Sequence, residues 1–524
     1  MTERALGRRA WGWVDQVFDA AFGSAANPLR HLGALGFLCF WVLVASGVYL
    51  YVVIDTSVEG AHASIDQLSA MPWWGGGWLR SVHRFAADAF MVLMGVHLLR
   101  EWVHGRFRGF RRFSWQTGVP LIVFGFVCAI GGFWLNWDAL GLYSAQATAE
   151  WFDALPWLAA PLARNFLTVE AVSDRLFSLF VFVHLGVPLL MLFGLWFHIQ
   201  RITRAAVWPP RRLALGLLAL FVGLAIVSPV VSHGPAQVDR MPAGLRLDWL
   251  LLFMHPLAEA TSNAAVWAFA TLGLLGLLVL PYLPRPQRAP RLAVAQVDAD
   301  HCNGCRRCFE DCPYAAVTMV PHPNRRVGRE LAVVHADLCA ACGICAGACP
   351  SSTPFRRASE LVTGIDMPDL TVHALRERLR QGLARLRAAG VARPIVAFCC
   401  EQGVAAHEVQ AADVLALDLL CTGMLAPSFV NYALRDGAAG VLVSGCCEGG
   451  CEFRLGQRLA DERLRRAREP HLQVDVPPQR LATAWAPAGQ PQSVLAELQA
   501  FRQRLQALAP PESPESSSLE SVHV

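Results

Sequence analysis

The chain has 524 residues, of which 54% are hydrophobic and only 16% charged. That balance is too apolar for an ordinary soluble domain and points to a membrane protein carrying a soluble part. A net charge of +4 gives no basis for a nucleic-acid partner, and what informs is how the charge is distributed.

Apolar runs fall at about 33–54, 82–103, 117–137, 176–200, 211–231 and 263–283, each long enough to span a bilayer. Arg4, Arg8, Arg9 and Arg30 precede the first run, and Arg100, Arg106, Arg108, Arg111 and Arg112 separate the second from the third. Arg201, Arg204, Arg211 and Arg212 separate the fourth from the fifth, and Arg285, Arg288 and Arg291 follow the sixth. The alternate loops are acidic or mixed, with Asp55, Glu59 and Asp66, then Asp138, Glu150 and Asp153, then Asp239 and Asp248. The positive-inside rule predicts six spans with both termini cytoplasmic. The N-terminus lacks the short apolar core of a cleavable signal peptide.

Within these runs His83 and His97 are 14 residues apart, and so are His184 and His198. Fourteen residues are close to four helical turns, so each pair lies on nearly one helix face with roughly 21 Å of rise between its members. Two such helices facing each other offer two stacked bis-histidine sites, suited to axial ligation of haem iron. On the predicted topology His83 and His184 lie near the outer surface, His97 and His198 near the inner one. Arg80 precedes His83 by three residues and Arg100 follows His97 by three. Arginines there pair with haem propionates or snorkel to the interface, and both readings are open. Gly33 and Gly47, then Gly118 and Gly132, repeat the 14-residue period. Glycine there lets a flat macrocycle approach the backbone or lets helices pack closely.

With these residues in place, positions 30–200 resemble the four-helix haem core of the cytochrome b family of bc-type complexes. The resemblance rests on the four histidines, the four glycines, Arg80, Arg100 and Pro188, and it implies two b-type haems, a membrane quinone as substrate and a homodimer. It pairs His83 with His184 on the outer haem and His97 with His198 on the inner one. Positions 205–284 are similar to the family's next two helices. There Leu247-Asp248-Trp249-Leu250 stands in place of the family's Pro-Glu-Trp-Tyr. Asp248 is therefore a candidate quinone proton acceptor at the outer side. Arg30, His31 and Arg201 form the rival inner site.

Beyond residue 300 lie 14 of the 16 cysteines, on the predicted cytoplasmic side, where disulfides do not normally persist. A proline- and arginine-rich linker leads to Cys302-x-x-Cys305-x-x-Cys308-x-x-x-Cys312-Pro and then to Cys339-x-x-Cys342-x-x-Cys345-x-x-x-Cys349-Pro. This repeated run is the bacterial two-cluster ferredoxin signature, in which the fourth cysteine of each run serves the other cluster. One [4Fe–4S] cluster is assigned Cys302, Cys305, Cys308 and Cys349, the other Cys339, Cys342, Cys345 and Cys312; zinc is the alternative.

An amphipathic helix is predicted at about 370–390, with Leu375, Leu379, Leu383 and Leu386 on its apolar face. The runs ending at Phe398 and Gly445 read as buried parallel strands of a small α/β domain at about 392–470. Cysteines cluster at the strand ends, in AFCCEQG, LLCTGM and VSGCCEGGCEF. These pieces resemble the iron–sulfur (delta) subunit of methyl-viologen-reducing hydrogenases, which implies one [2Fe–2S] cluster on Cys400, Cys421, Cys446 and Cys451. The alternatives are a zinc site or a reactive thiol. Cys399 and Cys447 leave the ligand choice within each doublet open, and Gly403 stands where the family commonly has a further cysteine.

The expected architecture is multi-domain. It comprises an all-α six-helix transmembrane bundle (1–284), an α+β ferredoxin-like two-cluster domain (292–356), a helical linker (357–391), an α/β iron–sulfur domain (392–506) and a disordered tail (507–524). No dinucleotide or phosphate-binding loop and no catalytic triad is found, so a partner must supply or receive the electrons. The expectation is an electron-transfer subunit in a prokaryotic inner membrane, linking a cytoplasmic flavoprotein of heterodisulfide-reductase type to the quinone pool. A transmembrane conduit without a quinone site, or a mere membrane anchor, are the other classes.

Overall fold

The computed structural model describes residues 3–71, 76–157, 164–168, 171–239, 244–284, 293–325, 327–356 and 359–508. Arg285, Arg288 and Arg291 of the basic linker, and the tail from 509 onward, lie outside the described residues. The chain divides into two compact units, Met1–Phe22 with Ala26–Arg201 and Ala205–Arg285, and Gly23–Ala25 with Ile202–Arg204 and Pro286–Val524.

The first unit is helical. Its elements are α1 (Glu3–Phe22), α2 (Leu32–Val53), α3 (Ala61–Ala70), α4 (Gly77–Val103), α5 (Arg112–Trp134), α6 (Ala139–Asp153), α7 (Asp174–Ile199), α8 (Arg211–Val227), α9 (Met254–Ala260) and α10 (Asn263–Val279). Five helical segments among the described residues are long and apolar enough to cross a membrane: Leu32–Val53, Gly77–Val103, Gly109–Trp134, Asp174–Ile199 and Asn263–Tyr282. The run expected at 211–231 forms α8, which has 17 residues and ends before Pro229, a residue that cannot continue a helix. Apolar side chains such as Val52, Phe182, Leu189 and Val227 stand exposed on the bundle, as lipid-facing residues do.

Polar caps set several boundaries in this unit. Asp138 accepts from Gly141 N at the start of α6, and the Ser262 hydroxyl accepts from Ala265 N at the start of α10. Helix α2 lies along α4, and α5 along α7, while α8 packs on α4. Their shared core contains Cys39, Phe40, Phe90, Met91, Leu121 and Met191. The two mid-span cysteines behave differently: Cys39 is fully buried, whereas Cys128 is partly buried.

The second unit contains β1 (Gln296–Val297), α11 (Arg307–Asp311), β2 (Val317–Pro321), β3 (Glu330–Val334), α12 (Ile344–Ala348), β4 (Ile365–Asp366) and α13 (Val372–Ala388). There follow β5 (Ile395–Cys400), α14 (Ala406–Val409), β6 (Val414–Leu419), α15 (Ser428–Arg435), β7 (Gly440–Cys446), α16 (Gly456–Leu464), β8 (Leu481–Ala486) and α17 (Pro491–Gln506). Strands β2 and β3 pair antiparallel, as do β1 and β4. The remaining strands form one parallel sheet in the order β6-β5-β7-β8. Every residue of β5 and β7 is buried, as a parallel sheet covered on both faces requires.

Two boundaries differ from the sequence expectation. The sheet does not end near the 470 expected for its strands but runs on within the expected 392–506 domain, because β8 pairs with β7 along Val441–Cys446. Nor is 357–391 a linker. Ile365 and Asp366 pair with Val297 and Gln296, and Leu375, Leu379 and Leu383 of α13 are buried. One hydrophobic core runs from Ala295, Cys302, Cys308 and Cys312 through Leu375 and Leu379 to Phe398, Leu419 and Val443. The ferredoxin-like and sheet segments therefore share their interior. Helix α13 itself starts where the Thr371 hydroxyl accepts from Ala374 N, and it ends with Arg385 and Arg387 against the helix dipole.

Candidate metal centres

Helices α4 and α7 bring His83 and His184 together, with ring centroids 6.4 Å apart and planes inclined by 58°. A metal–nitrogen bond of about 2 Å on each side would put two facing imidazoles at roughly this separation. Hydrogen bonds fix the tautomers. The Ser46 hydroxyl donates to Val42 O, so toward His83 Nδ1, 2.9 Å away, it must accept. Likewise the Thr117 hydroxyl donates to Phe113 O and accepts from His198 Nδ1 at 3.2 Å. His184 Nδ1 is 2.9 Å from Cys128 O, which can only accept. Three imidazoles thus hold their proton on Nδ1 and keep the Nε2 lone pair for a metal. Buried His97 Nδ1 has no hydrogen-bond partner among the described residues.

Each of the four glycines faces one of the four histidines. A Cβ on Gly33 would stand 3.8 Å from the His97 ring, and one on Gly47 would stand 3.2 Å from His83. On the other helix pair, a Cβ on Gly118 would stand 2.9 Å from His198, and one on Gly132 would stand 3.0 Å from His184. These glycines therefore make room for the imidazole rings of a neighbouring helix, a more specific role than general backbone access.

The two arginines are buried, which does not fit snorkelling to water. Arg80 donates to the hydroxyls of Ser69 at 2.7 Å and Ser232 at 2.8 Å. Arg100 lies 3.7 Å from Glu101, which Arg106 and Arg111 also approach. Asp248 accepts from Leu250 N at 3.0 Å and Leu251 N at 2.5 Å, and it pairs with Arg84. Arg84 also pairs with Asp88 and lies 5.2 Å over the Phe133 ring. Of the rival group, Arg30 is buried and paired with Asp19 at 2.6 Å, and His31 occupies the N-cap position of α2. Arg201 is exposed, with its guanidinium 3.9 Å over Phe113.

Sequence reasoning missed His255, which is 1% exposed. Its Nε2 is 2.9 Å from the Ser144 hydroxyl and its ring is 4.8 Å from that of Trp151. A lone histidine in an apolar stretch carries no spacing signal, so only the fold could draw attention to it.

In the second unit Cys302, Cys305, Cys308 and Cys349 line one cavity. Cys312, Cys339, Cys342 and Cys345 line another. The loops are curled by left-handed residues on either side of the middle cysteine, Gly304 and Arg306 in the first run and Ala341 and Gly343 in the second. A Cβ on Gly304 would also fall 2.4 Å from Glu330 O. Burial pushes the Cys308 thiol up to about 12 and raises Cys342 and Cys345 as well. Among the described residues no three His, Cys, Asp or Glu side chains are placed as they would be around a single ion. Four cysteines lining each cavity are the donor set that a polynuclear cluster would use.

The sheet gathers the other cysteines at the C-terminal ends of three adjacent strands. Cys400 ends β5, Cys446 ends β7 4.0 Å away, Cys421 follows β6, and Cys451 lies in the loop after β7. Strand alternation separates the first doublet. Cys399 points with Ile395 and Ala397 into the core under α17, while Cys400 joins the other cysteines. Hydrogen bonds from Cys421 and Cys446 hold the thiols of Cys400 and Cys451 below the ordinary cysteine range, while Cys421 and Cys446 are raised.

Comparison with known proteins matches three segments of the chain. The description "Cytochrome b/b6/petB" matches residues 18–206, "4Fe-4S dicluster domain" matches 301–353, and "Methyl-viologen-reducing hydrogenase, delta subunit" matches 395–509. A cytochrome b6 of Stigeoclonium helveticum is 31% identical over 202 residues, covering 38% of this chain and 92% of that relative. The chain belongs to the cytochrome b family. A solved structure titled "Hyperthermophilic respiratory Complex III" aligns at 18% identity with a TM-score of 0.39, covering 52% of this chain and 83% of that one. Family membership implies haem in the cytochrome b part, and the dicluster match implies [4Fe–4S] clusters. This cytochrome b is therefore a redox membrane protein fused to iron–sulfur segments.

Proposed function

We propose that the chain is the electron-transfer subunit of a membrane-bound quinone oxidoreductase, carrying electrons between a cytoplasmic flavoprotein of heterodisulfide-reductase type and the quinone pool. The observation that carries this reading is the pairing, in one polypeptide, of glycine-backed imidazoles in an apolar bundle with three groups of four cysteines. Haems and iron–sulfur clusters, when bound, supply one-electron carriers and nothing else. His83 and His184 would hold the outer b haem, and His97 and His198 the inner one, with Arg80 and Arg100 near their propionates. Ser46, Thr117 and Cys128 O orient three of these ligands. The two [4Fe–4S] clusters would rest on Cys302, Cys305, Cys308 and Cys349, and on Cys339, Cys342, Cys345 and Cys312. The [2Fe–2S] cluster would rest on Cys400, Cys421, Cys446 and Cys451.

In this reading six helices cross a prokaryotic inner membrane with both termini cytoplasmic, α8 completing the six, and the bundle forms a homodimer. Low-potential clusters feeding a quinone favour quinone reduction. Asp248 is committed to Arg84 and to two backbone N–H groups, so its carboxylate oxygens are already engaged. That weighs toward the inner quinone site, where Arg201 is exposed and could donate to a quinone carbonyl.

The full-length protein purified in detergent tests this reading. Two low-spin b haems per chain, reduced on addition of a menaquinol or ubiquinol analogue, and a flavoprotein that co-purifies, are the expected results. Haems that respond to a soluble donor but never to quinol would instead mark a transmembrane conduit. Fewer than two haems would favour an anchor.

A further inference from the structure

Three glycines meet at one point of the second unit. A Cβ on Gly347 would fall 2.3 Å from Gly423 O, one on Gly423 would fall 3.0 Å from Gly456 Cα, and one on Gly456 would fall 2.0 Å from Cys421 Sγ. Gly347 follows Cys345 by two residues, and Gly423 follows Cys421 by two. The loop of one cysteine site therefore rests backbone to backbone on the loop of another. No side chain larger than hydrogen fits between them.

Arg463 closes this junction. Its side chain is fully buried, the largest such residue among the described residues. It donates to Gly423 O at 2.8 Å, to Ile344 O at 3.5 Å, and to Asp311 Oδ2 at 2.6 Å. Ile344 precedes Cys345 and Asp311 precedes Cys312. Arg468 also pairs with Asp311. The Arg463 Nε–H is buried and has no hydrogen-bond partner among the described residues. An interior donor without an acceptor is costly, and a buried arginine keeps its charge. The buried Asp311 carboxylate calls for a cation, yet packing alone would accept an apolar pair in the same space.

We propose that Arg463 is a positioning residue for electron passage between the Cys339–Cys342–Cys345–Cys312 site and the Cys400–Cys421–Cys446–Cys451 site. The proposal rests on the reading of both as iron–sulfur sites. A cation in a weakly screened interior stabilises a neighbouring centre when it gains an electron, and net charge and hydrogen bonds set cluster potentials. Arg463 touches the backbone of both loops and so raises both potentials together. One electron leaves one centre as the other gains it, and no proton moves or bond changes.

The test uses full-length protein carrying Arg463→Gln, Asp311→Asn or Arg458→Gln. Arg458 is an exposed residue of α16 paired with Glu462 and serves as the control. Iron and acid-labile sulfide per chain are measured first, then potentials by redox titration followed with electron paramagnetic resonance. Arg463→Gln is expected to lower the potentials of both sites, and Asp311→Asn to raise them, because it leaves two guanidiniums without their carboxylate. Arg458→Gln should move neither. Simple loosening of the fold would not give opposite signs. Potentials that stay put, or move in one direction in both variants at full iron content, overturn the role of Arg463. If Arg463→Gln loses iron, Asp311→Asn alone decides, and the absence of a rise overturns the proposal. A wild-type protein without cluster iron at these cysteines overturns the underlying assignment of the sites instead.

Discussion

Gly118 faces His198 so closely that a Cβ would stand 2.9 Å from the imidazole, whereas the same atom on Gly33 would stand 3.8 Å from His97. The four glycine positions form a graded series, with Gly132 at 3.0 Å and Gly47 at 3.2 Å between these extremes. Alanine should therefore do most harm at Gly118 and Gly132 and least at Gly33, where the contact is ordinary. Overpacking costs of about 1–3 kcal/mol fall directly on a haem ligand. Haem quantitation should show one haem lost in Gly118→Ala and in Gly132→Ala, and none in Gly33→Ala. Gly95→Ala, with open space around it, is the control.

Ser46→Ala removes the acceptor from His83 Nδ1 and leaves the ring in place. A less electron-rich imidazole stabilises ferric haem less, so the outer haem potential should rise. One hydrogen bond of about 1 kcal/mol corresponds to a shift on the order of tens of millivolts for one electron. Redox titration should show the inner component unmoved. Thr117→Val should reverse the pattern through His198.

Cys400→Ser should abolish the C-terminal iron–sulfur signal, while Cys399→Ser should preserve it. The two neighbours differ only in which face of β5 they occupy. Resonance spectra of the two variants decide this, and loss of the signal in Cys399→Ser would reverse the assignment.

Truncation after residue 365 should cost the protein its [4Fe–4S] clusters as well as the C-terminal one. It removes Asp366 from the β1 pairing and strips Leu375, Leu379, Phe398 and Val443 from the core that Cys302, Cys308 and Cys312 share. Acid-labile sulfide in the truncated chain should fall close to zero, with both haems kept. Retention of four or more sulfides per chain would show that the ferredoxin-like segment stands alone.

Asp248→Asn should leave quinol-linked haem reduction intact. Asparagine can still accept from Leu250 N and Leu251 N, and the lost pairing with Arg84 should cost on the order of 1 kcal/mol. Arg201→Met should slow the same reduction. Stopped-flow absorbance of the haem bands compares the two, and a defect confined to Asp248→Asn would return the quinone to the outer side.

Periodic features were legible in the sequence because period is what a helix or strand converts into a face. The 14-residue spacings and the cysteine runs needed no coordinates, and the strands at Phe398 and Gly445 were continuous apolar runs. Helices α1, α3, α6 and α9 were not seen, because none is apolar enough to read as a span, although α1 does carry an amphipathic period. Strand β8 carries alternating alanines, LATAWA, a weak signal beside its neighbours. The engagement of Asp248 with Arg84 spans 164 residues of sequence, and that of Arg463 with Asp311 spans 152. Nothing local announces either pair. The character of 357–391 was equally hidden, since two-residue strands such as β1 and β4 exist only through each other.

The shared interior of the second unit bears on how such a protein is made. Cys302, Cys308 and Cys312 are at once candidate ligands and members of the same hydrophobic core as the sheet. If those cysteines hold clusters, metal loading is expected to accompany chain collapse rather than to follow it site by site on a finished scaffold. A cell short of iron would hold unfinished chains with exposed apolar surface, fit for proteolysis, and few partly loaded ones able to leak electrons to oxygen.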